Sequence, residues 1–525
     1  MIFNMTATNQ RSGITPSGTY NIASNGTYDV YSYASASVAV PGIVPTGTLS
    51  ITSNGTYNVS NYASATVNVS GGTGYTMDDI AMRTAMSGAI VGNTASFIAS
   101  YAFASCSNLT SVSFPVATSI GNYAFNGCSN LTAVSFPAAT SIGSYAFASC
   151  SSLTAVSFPS VTSIYAGAFN VCRGLTTINF PTATTVGYAA FSTCVSLTAA
   201  NFPNVTSIES NAFYGCGSLT TANFSSATTI GSYAFSNCTN LTTVSFPVAT
   251  TIGNYAFAIC RKLMTASFPN VISIGSGAFS GCYSLTTADF SSATTIGNSA
   301  FNSCSNLTTI NFPKVTSIGI SAFSNCYSLM TASFPSATTI GNFAFWSCSQ
   351  LTTISFPVVT SVGQGAFNGC SNLTSASFPV ATTVGIGMFV ACSNLTSVSF
   401  PVATSIGSYA FNLCSGLTEV NFPNVTSVQS NAFIDCKSLT TISLPKATLI
   451  GSYAFRNCFN LLSLYLTSVT SVTAISAYAF SSTPIGGYTT STGGVYGSVF
   501  VPSSLYNSFI TATNWSSISA RIVSV

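Results

Sequence analysis

Residues 108–129 read NLTSVSFPVATSIGNYAFNGCS, and residues 130–151 read NLTAVSFPAATSIGSYAFASCS. The same phrase returns along most of the chain. Its clearest marker is cysteine: from Cys106, Cys128, Cys150 and Cys172 onward to Cys458, all 17 cysteines fall in one series with a constant spacing of 22 residues. A fixed period in the twenties marks a solenoid, in which each turn stacks on the last and equivalent residues form ladders. Adjacent rungs of such a stack lie about 4.8 Å apart, close enough for a disulfide. The odd number of cysteines and their shared layer argue instead for free thiols buried as small hydrophobes. Zinc would call for CxxC spacing or histidine, and the chain has no histidine. A catalytic cysteine would lack its base for the same reason.

A single period is legible residue by residue. Val112-Ser113-Phe114 alternates as a strand with one buried face, and Pro115 ends it because proline cannot donate to a ladder. The piece around Ile120 is a second short extended segment, with Gly121 turning the chain. Tyr123, Phe125 and Cys128 have the spacing of a short helical or 3-10 turn. Phe103, Phe125, Phe147 and Phe169 recur at the period and predict a stacked aromatic spine. One turn cannot bury its own apolar face, so stacking makes the core.

Composition narrows the function. Of 525 residues, 47% are hydrophobic and 3% charged, with ten bases and seven acids scattered along the chain. An ordinary domain is about 25% charged. No basic patch supports nucleic-acid binding. General acid–base catalysis has little to work with, so no catalytic residue, cofactor or metal site is expected. Polarity comes from Ser, Thr, Asn and Gly, a hydrated surface with little mutual repulsion that suits assemblies, a homo-oligomer included. No apolar run is long and clean enough for a membrane span, and the N-terminus MIFNMTATNQRSG does not read as a signal peptide.

The pattern L-x-x-[VIA]-x-F-P…[IV]-G…A-F-x-x-C resembles the BspA-type leucine-rich repeat over residues 95–484. The resemblance implies a right-handed horseshoe or rod with a parallel sheet on its concave side, and adhesion or binding rather than catalysis. The expected fold is therefore a leucine-rich repeat solenoid, β-rich with short helical or 3-10 turns, of about 18 turns. After Cys458 the repeat stretches and Thr483 takes the cysteine slot, as suits a terminal cap. Residues 485–525 read as that cap: SVFVP as a last strand, then a helix capped by Ser503 or Ser504 with Leu505, Phe509 and Trp515 on one face.

The front differs. SNGTYDVYSYASASVAV at 24–40 and SNGTYNVSNYASATVNV at 53–69 are two copies of another phrase. Asn25-Gly26 and Asn54-Gly55 signal hairpin turns, which makes 13–72 two small β-modules behind a tail, residues 1–12. The phrase resembles short β-repeats of phage tail-associated proteins. Residues 73–94 read as a linker and an N-terminal cap helix over Met77–Met86, with Asp78 and Asp79 at its positive end. As a paired-carboxylate site these two stand without other site chemistry.

The exposed face of the first strand offers two columns of small polar residues. One includes Ser113, Ser135, Asn179, Asn201, Asn223, Asp289 and Asn311, the candidate binding surface together with Trp346. The columns lack the aromatic or Arg anchors of a protein-binding centre. Arg261-Lys262, Met264, Lys314, Met330, Trp346, Glu419, Asp435 and Lys437 stand out against the uniform background. The leading expectation is a virion component, a phage-tail fibre whose residues 1–72 attach to other virion or surface proteins and whose solenoid meets a host-cell surface protein or glycan. The alternative is a BspA-like bacterial surface adhesin, and a minor one an ice- or lattice-binding protein.

Overall fold

The structure is a computed structural model that describes residues 96–488 and 496–525 and, ahead of them, six strands: Gly18–Asn21, Tyr28–Val30, Ala36–Ala39, Thr48–Ile51, Thr66–Val69 and Ser87–Gly92. The repeats form a parallel β-solenoid of about 19 turns with little helix. The chain divides into two compact units, Met1–Leu219 and Thr220–Val525, so the division falls within the repeats rather than at their ends.

Every period builds three stacked segments. In the first unit the first strand is exemplified by Asn108–Ser113, whose Ser111, Val112 and Ser113 pair in parallel with Ala133, Val134 and Ser135 of the next turn. Its Leu109, Val112 and Phe114 point inward. The second strand is two residues long, Ser119–Ile120, pairing with Ser141–Ile142. Gly121 follows because the preceding turn comes so close that a Cβ would sit 2.5 Å from the Ser100 nitrogen.

The third segment departs from expectation. Residues 121–128 form neither an α-helix nor a 3-10 helix but a chain of tight turns. Ala124, Asn126 and Cys128 N–H donate three residues back within their own turn, at 3.1–3.3 Å, while Tyr123, Phe125 and Gly127 N–H donate to Ser144, Ala146 and Ala148 of the next turn at 2.7–2.8 Å. A helix would spend all its amides internally; here half of them join neighbouring turns. The geometry requires left-handed backbone at Tyr123 (φ 56°) and Gly127 (φ 75°), which for a bulky residue such as tyrosine is uncommon and costs free energy.

The core holds two interleaved aromatic columns. Phe103, Phe125, Phe147 and Phe169 stack at 5.1–5.2 Å. The strand-end phenylalanines form the second column, and Phe125 meets Phe136 edge-on at 5.8 Å, an arrangement that aromatic quadrupoles favour.

The first-strand ladder is interrupted at intervals. In the first unit no pairing joins Ala133–Ser135 to Ala155–Ser157, or Thr177–Asn179 to Ala199–Asn201. In the second unit the interruptions lie between Thr287–Asp289 and Thr309–Asn311, Thr331–Ser333 and Thr353–Ser355, and Ser397–Ser399 and Glu419–Asn421. At all five the fully buried residue three positions past the strand-end phenylalanine changes from Ala to Val: Ala139 to Val161, Ala183 to Val205, Ala293 to Val315, Ala337 to Val359, Ala403 to Val425. The phenylalanine rings there stand 5.9–6.4 Å apart. They stand 5.4 Å apart at the paired Phe114–Phe136 step and 5.0 Å at Phe378–Phe400, but 6.1 Å at the paired Phe224–Phe246 step, so ring spacing alone does not mark a gap. The added methyl groups act as a one-sided wedge in a close-packed interior. Ala249 to Val271 makes the same substitution without an interruption, so the step favours the gap without compelling it.

The ends correct several expectations. The front strands do not form hairpins: Gly18–Asn21 pairs in parallel with Ala36–Ala39, Tyr28–Val30 with Thr48–Ile51, and Thr48–Ile51 with Thr66–Val69. Thr66–Val69 then pairs with Ser87–Gly92, which pairs with Asn108–Ser113, so the strands from Tyr28–Val30, Thr48–Ile51 and Thr66–Val69 to Ser87–Gly92 extend the first-strand sheet, while Gly18–Asn21 and Ala36–Ala39 form a sheet of their own. The Asn-Gly pairs and the helix expected over 77–86 lie outside the described residues. At the other end Ser498–Val501 is followed by Tyr506–Thr511, a short helix, and by one more strand, Ile522–Ser524. Neither serine caps that helix: Leu505 is its N-cap, no side chain caps it, and Ser503 Oγ donates to the Val525 carbonyl at 2.9 Å. Phe509 and Trp515 are fully buried and Leu505 partly so.

Candidate functional site

The first strand alternates, so its inward residue joins the core and its neighbours face out. In the first unit Ser113 is half-buried, while Ser135, Asn179 and Asn201 are exposed, and Asn179 Nδ2 donates to Ser157 Oγ at 3.1 Å. In the second unit Asn223, Asp289 and Asn311 are exposed in the same column. Trp346 is 41% exposed but sits on the turn segment, not among the strand columns. It therefore does not join the candidate surface.

Two columns escaped the sequence reading. Threonine recurs just before each strand: Thr140 N–H and Oγ1 both donate to the Thr118 carbonyl, at 2.8 and 3.1 Å, and Thr132 does the same with Thr110. These hydroxyls face solvent yet are spent on the stack. The signal was there, a Thr at a fixed place in nearly every period, but threonine reads as generic polar surface. The second column is Tyr101, Tyr123 and Tyr145, stacked at 4.9 and 5.1 Å. It ends at Gly167, where a Cβ would lie 2.4 Å from the Tyr145 ring.

The cysteines lie in the core. All 17 are free and buried. Each thiol of the series from Cys128 to Cys172 donates to a phenylalanine carbonyl of the preceding turn, as Cys128 Sγ does to Phe103 at 3.1 Å. Burial pushes the Cys172 thiol up to about 12 and raises Cys150 well above its ordinary value, with the neighbouring Cys172 adding to the shift. Such thiols are poor nucleophiles and poor ligands. Among the described residues no group of three His, Cys, Asp or Glu side chains could hold a metal ion, and no helix is long and apolar enough to cross a membrane.

The second unit carries a groove of about 520 Å³ on the outward strand face, spanning the turns that begin at Thr265, Thr287, Thr309 and Thr331. It lies across the interruption between Asp289 and Asn311. There Ala288 is half-buried, where Ala266 and Ile310 are buried. Asp289 Oδ1 accepts the Ser291 N–H at 3.2 Å. The groove is lined by strand residues with Ser291 and Pro313; the residues that precede its strands in sequence, outside that lining, break the background. Met264 and Met330 replace threonine directly before the first and last groove strands and are each 47% exposed. Tyr283 and Tyr327 are 46% and 50% exposed. The Arg261 guanidinium stands 6.0 Å from the Tyr283 ring centroid.

The BspA type leucine-rich repeat model matches in overlapping stretches, residues 96–220, 162–286, 228–338, 294–404 and 382–496. No curated protein matches the chain. Among solved structures, a leucine-rich repeat protein from Bacteroides ovatus is similar at 24% identity over 73% of this chain and 87% of its own, with a TM-score of 0.42. A leucine rich cell surface protein from Faecalibacterium prausnitzii is 23% identical over 72% of this chain and 84% of its own, TM-score 0.27. A leucine-rich repeat protein from Eubacterium ventriosum is 21% identical over 70% and 90%, TM-score 0.26. The family match starts at residue 96, and the likeness of the front-end phrases to phage tail-associated repeats gains no support. With its repeats matched over more than half its length, the chain belongs to the BspA-type leucine-rich repeat family.

Proposed function

We propose that this protein is a non-enzymatic surface adhesin whose repeat sheet is its binding face. The observation that carries the reading is the division of labour within each turn. Leu, Phe and Cys are consumed by the core and many Thr hydroxyls by the stack, while the outward strand residues, some of them bonded along their own column as Asn179 is to Ser157, present their side chains to solvent. Repeat proteins present extended binding surfaces in this way, and the family's repeats serve as scaffolds rather than catalysts. The virion-fibre expectation rested on the front-end resemblance and is not carried forward.

The test is an antibody raised against residues 95–484 and applied to source cells and to their particle fraction under the electron microscope. Label on cell envelopes, with purified chain adhering to immobilised host-cell surface, supports the adhesin. Label confined to virus-like particles sinks it.

A further inference from the structure

The charges of the repeat region are not evenly spread. Between Glu209 and Glu419 the chain has four charged residues, and all fall within 261–314: Arg261, Lys262, Asp289 and Lys314. All four are exposed. The groove occupies the same turns. The threonine that adds a hydroxyl bond onto the preceding turn in many periods, as at Thr242 and Thr286, gives way to methionine directly before the first and last groove strands. Met264 and Met330 keep their backbone bonds to Thr242 and Thr308 at 2.8 and 2.9 Å but have no hydroxyl to add. Exposed methionine at these two places adds no side-chain bond to the stack. Two exposed tyrosines, Tyr283 and Tyr327, and an arginine 6.0 Å from the first ring's centroid fall in the same run of turns.

Methionine, tyrosine and arginine are the residue types enriched in protein interfaces, while lysine-poor, serine-rich surface is not. The strand columns themselves hold no such anchors; the anchors stand one step outside, on the residues leading into the strands. A saccharide site needs none of the methionines and gains little from three bases. A protein segment uses both: methionine adapts to apolar side chains, and three bases against one acid set the sign of the partner.

Resting on the adhesin reading, we infer that the turns of residues 261–333 dock an extended segment of a partner protein, acidic toward Arg261 and Lys262 and apolar toward Met264, Met330 and the two tyrosines. The three periods from Met264 to Met330 span roughly 15 Å at about 4.8 Å per rung, the reach of about five extended residues. The sheet interruption at the Ala293-to-Val315 step lies within these turns.

The experiment pans a random linear-peptide library on the full chain. It then measures the selected peptides against Met264→Thr/Met330→Thr and against Arg261→Ala/Lys262→Ala. The first double variant restores the ladder consensus and so is expected to fold at least as well as the parent. Selected peptides should share acidic and apolar positions, bind about tenfold more weakly to each double variant, and weaken as salt rises. Peptides that are basic, or whose binding neither variant alters, overturn the site. So does an empty selection, and retardation of the chain by neutral polysaccharide, lost in the methionine variant, would reassign the groove to a glycan. Adhesion of the parent to host surface separates the two readings: adhesion undiminished in both variants leaves the adhesin standing and removes this groove, whereas no adhesion by the parent removes the adhesin while the peptide result still decides the groove.

Discussion

A buried thiol that donates to a carbonyl stabilises the fold only while it keeps its proton. Cys172, Cys216, Cys260, Cys326 and Cys370 are each pushed up to about 12 by burial, against an ordinary value of 9.0. A folded-state value above the unfolded one means that the unfolded chain loses its protons first. The thiols' contribution is thus complete below about pH 9 and is lost as pH rises from there toward 12. Stability should fall in that window by about 1.4 kcal/mol per pH unit for each such thiol. Denaturant titrations at stepped pH read the slope, and a midpoint unchanged between pH 9 and 11 contradicts it. At pH 8 a thiol reagent should find almost no reactive cysteine in the native chain and all 17 after unfolding. The cysteine ladder was legible in the sequence because one residue type at one spacing admits few explanations. Left-handed Tyr123 was not, because nothing in a tyrosine side chain announces a backbone angle set by the next turn's carbonyls.

At the scale of the element, the strands were readable from alternation and proline, but the third segment was misread as helical. Its apolar spacing fits a helical turn; what it lacks is a reason to keep its hydrogen bonds inside, since the adjacent turn offers carbonyls at 2.7–2.8 Å. The interruptions of the first-strand sheet were unreadable for a related reason. They depend on a difference of two methyl groups between successive turns, a quantity invisible within one period. Val315→Ala should close the gap between Thr287–Asp289 and Thr309–Asn311, giving the Phe290 amide the slow hydrogen exchange expected of Phe268, which donates to the Asp289 carbonyl at 2.9 Å. Conversely, Ala403→Val creates the step after Ala381 and should open the paired strands Ser375–Ser377 and Ser397–Ser399, at a cost of about 1–3 kcal/mol for overpacking. Exchange rates that ignore both substitutions would mean that the wedge is not the cause.

For the whole chain the decisive properties are periodicity and scarcity of charge. A stack stabilised by nearest neighbours is weakest at its ends, and 17 charged residues in 525 give little repulsion against edge-to-edge association. The C-terminal end of the second unit answers both weaknesses. Ser498–Val501 pairs with Ser463–Tyr465, Ile522–Ser524 pairs beyond it, and Trp515 plugs the last turn. The Trp515 indole N–H donates to the Thr473 carbonyl at 2.6 Å, and its ring meets Phe480 and Phe509. Trp515→Ala should cost about 3–5 kcal/mol, confined at first to the last turns, so that amide exchange accelerates near 463–480 while the turns around 309–333 keep their protection. Removing residues 498–525 goes further: it bares the edge of Ser463–Tyr465 to a second chain. The truncated protein should therefore elute as large species at concentrations where the parent is monodisperse, and the effect should persist across ionic strength because it owes little to charge. A truncated chain that stays monodisperse with an unchanged Tm would show that the stack ends protect themselves, and that the terminal strands serve something other than the fold.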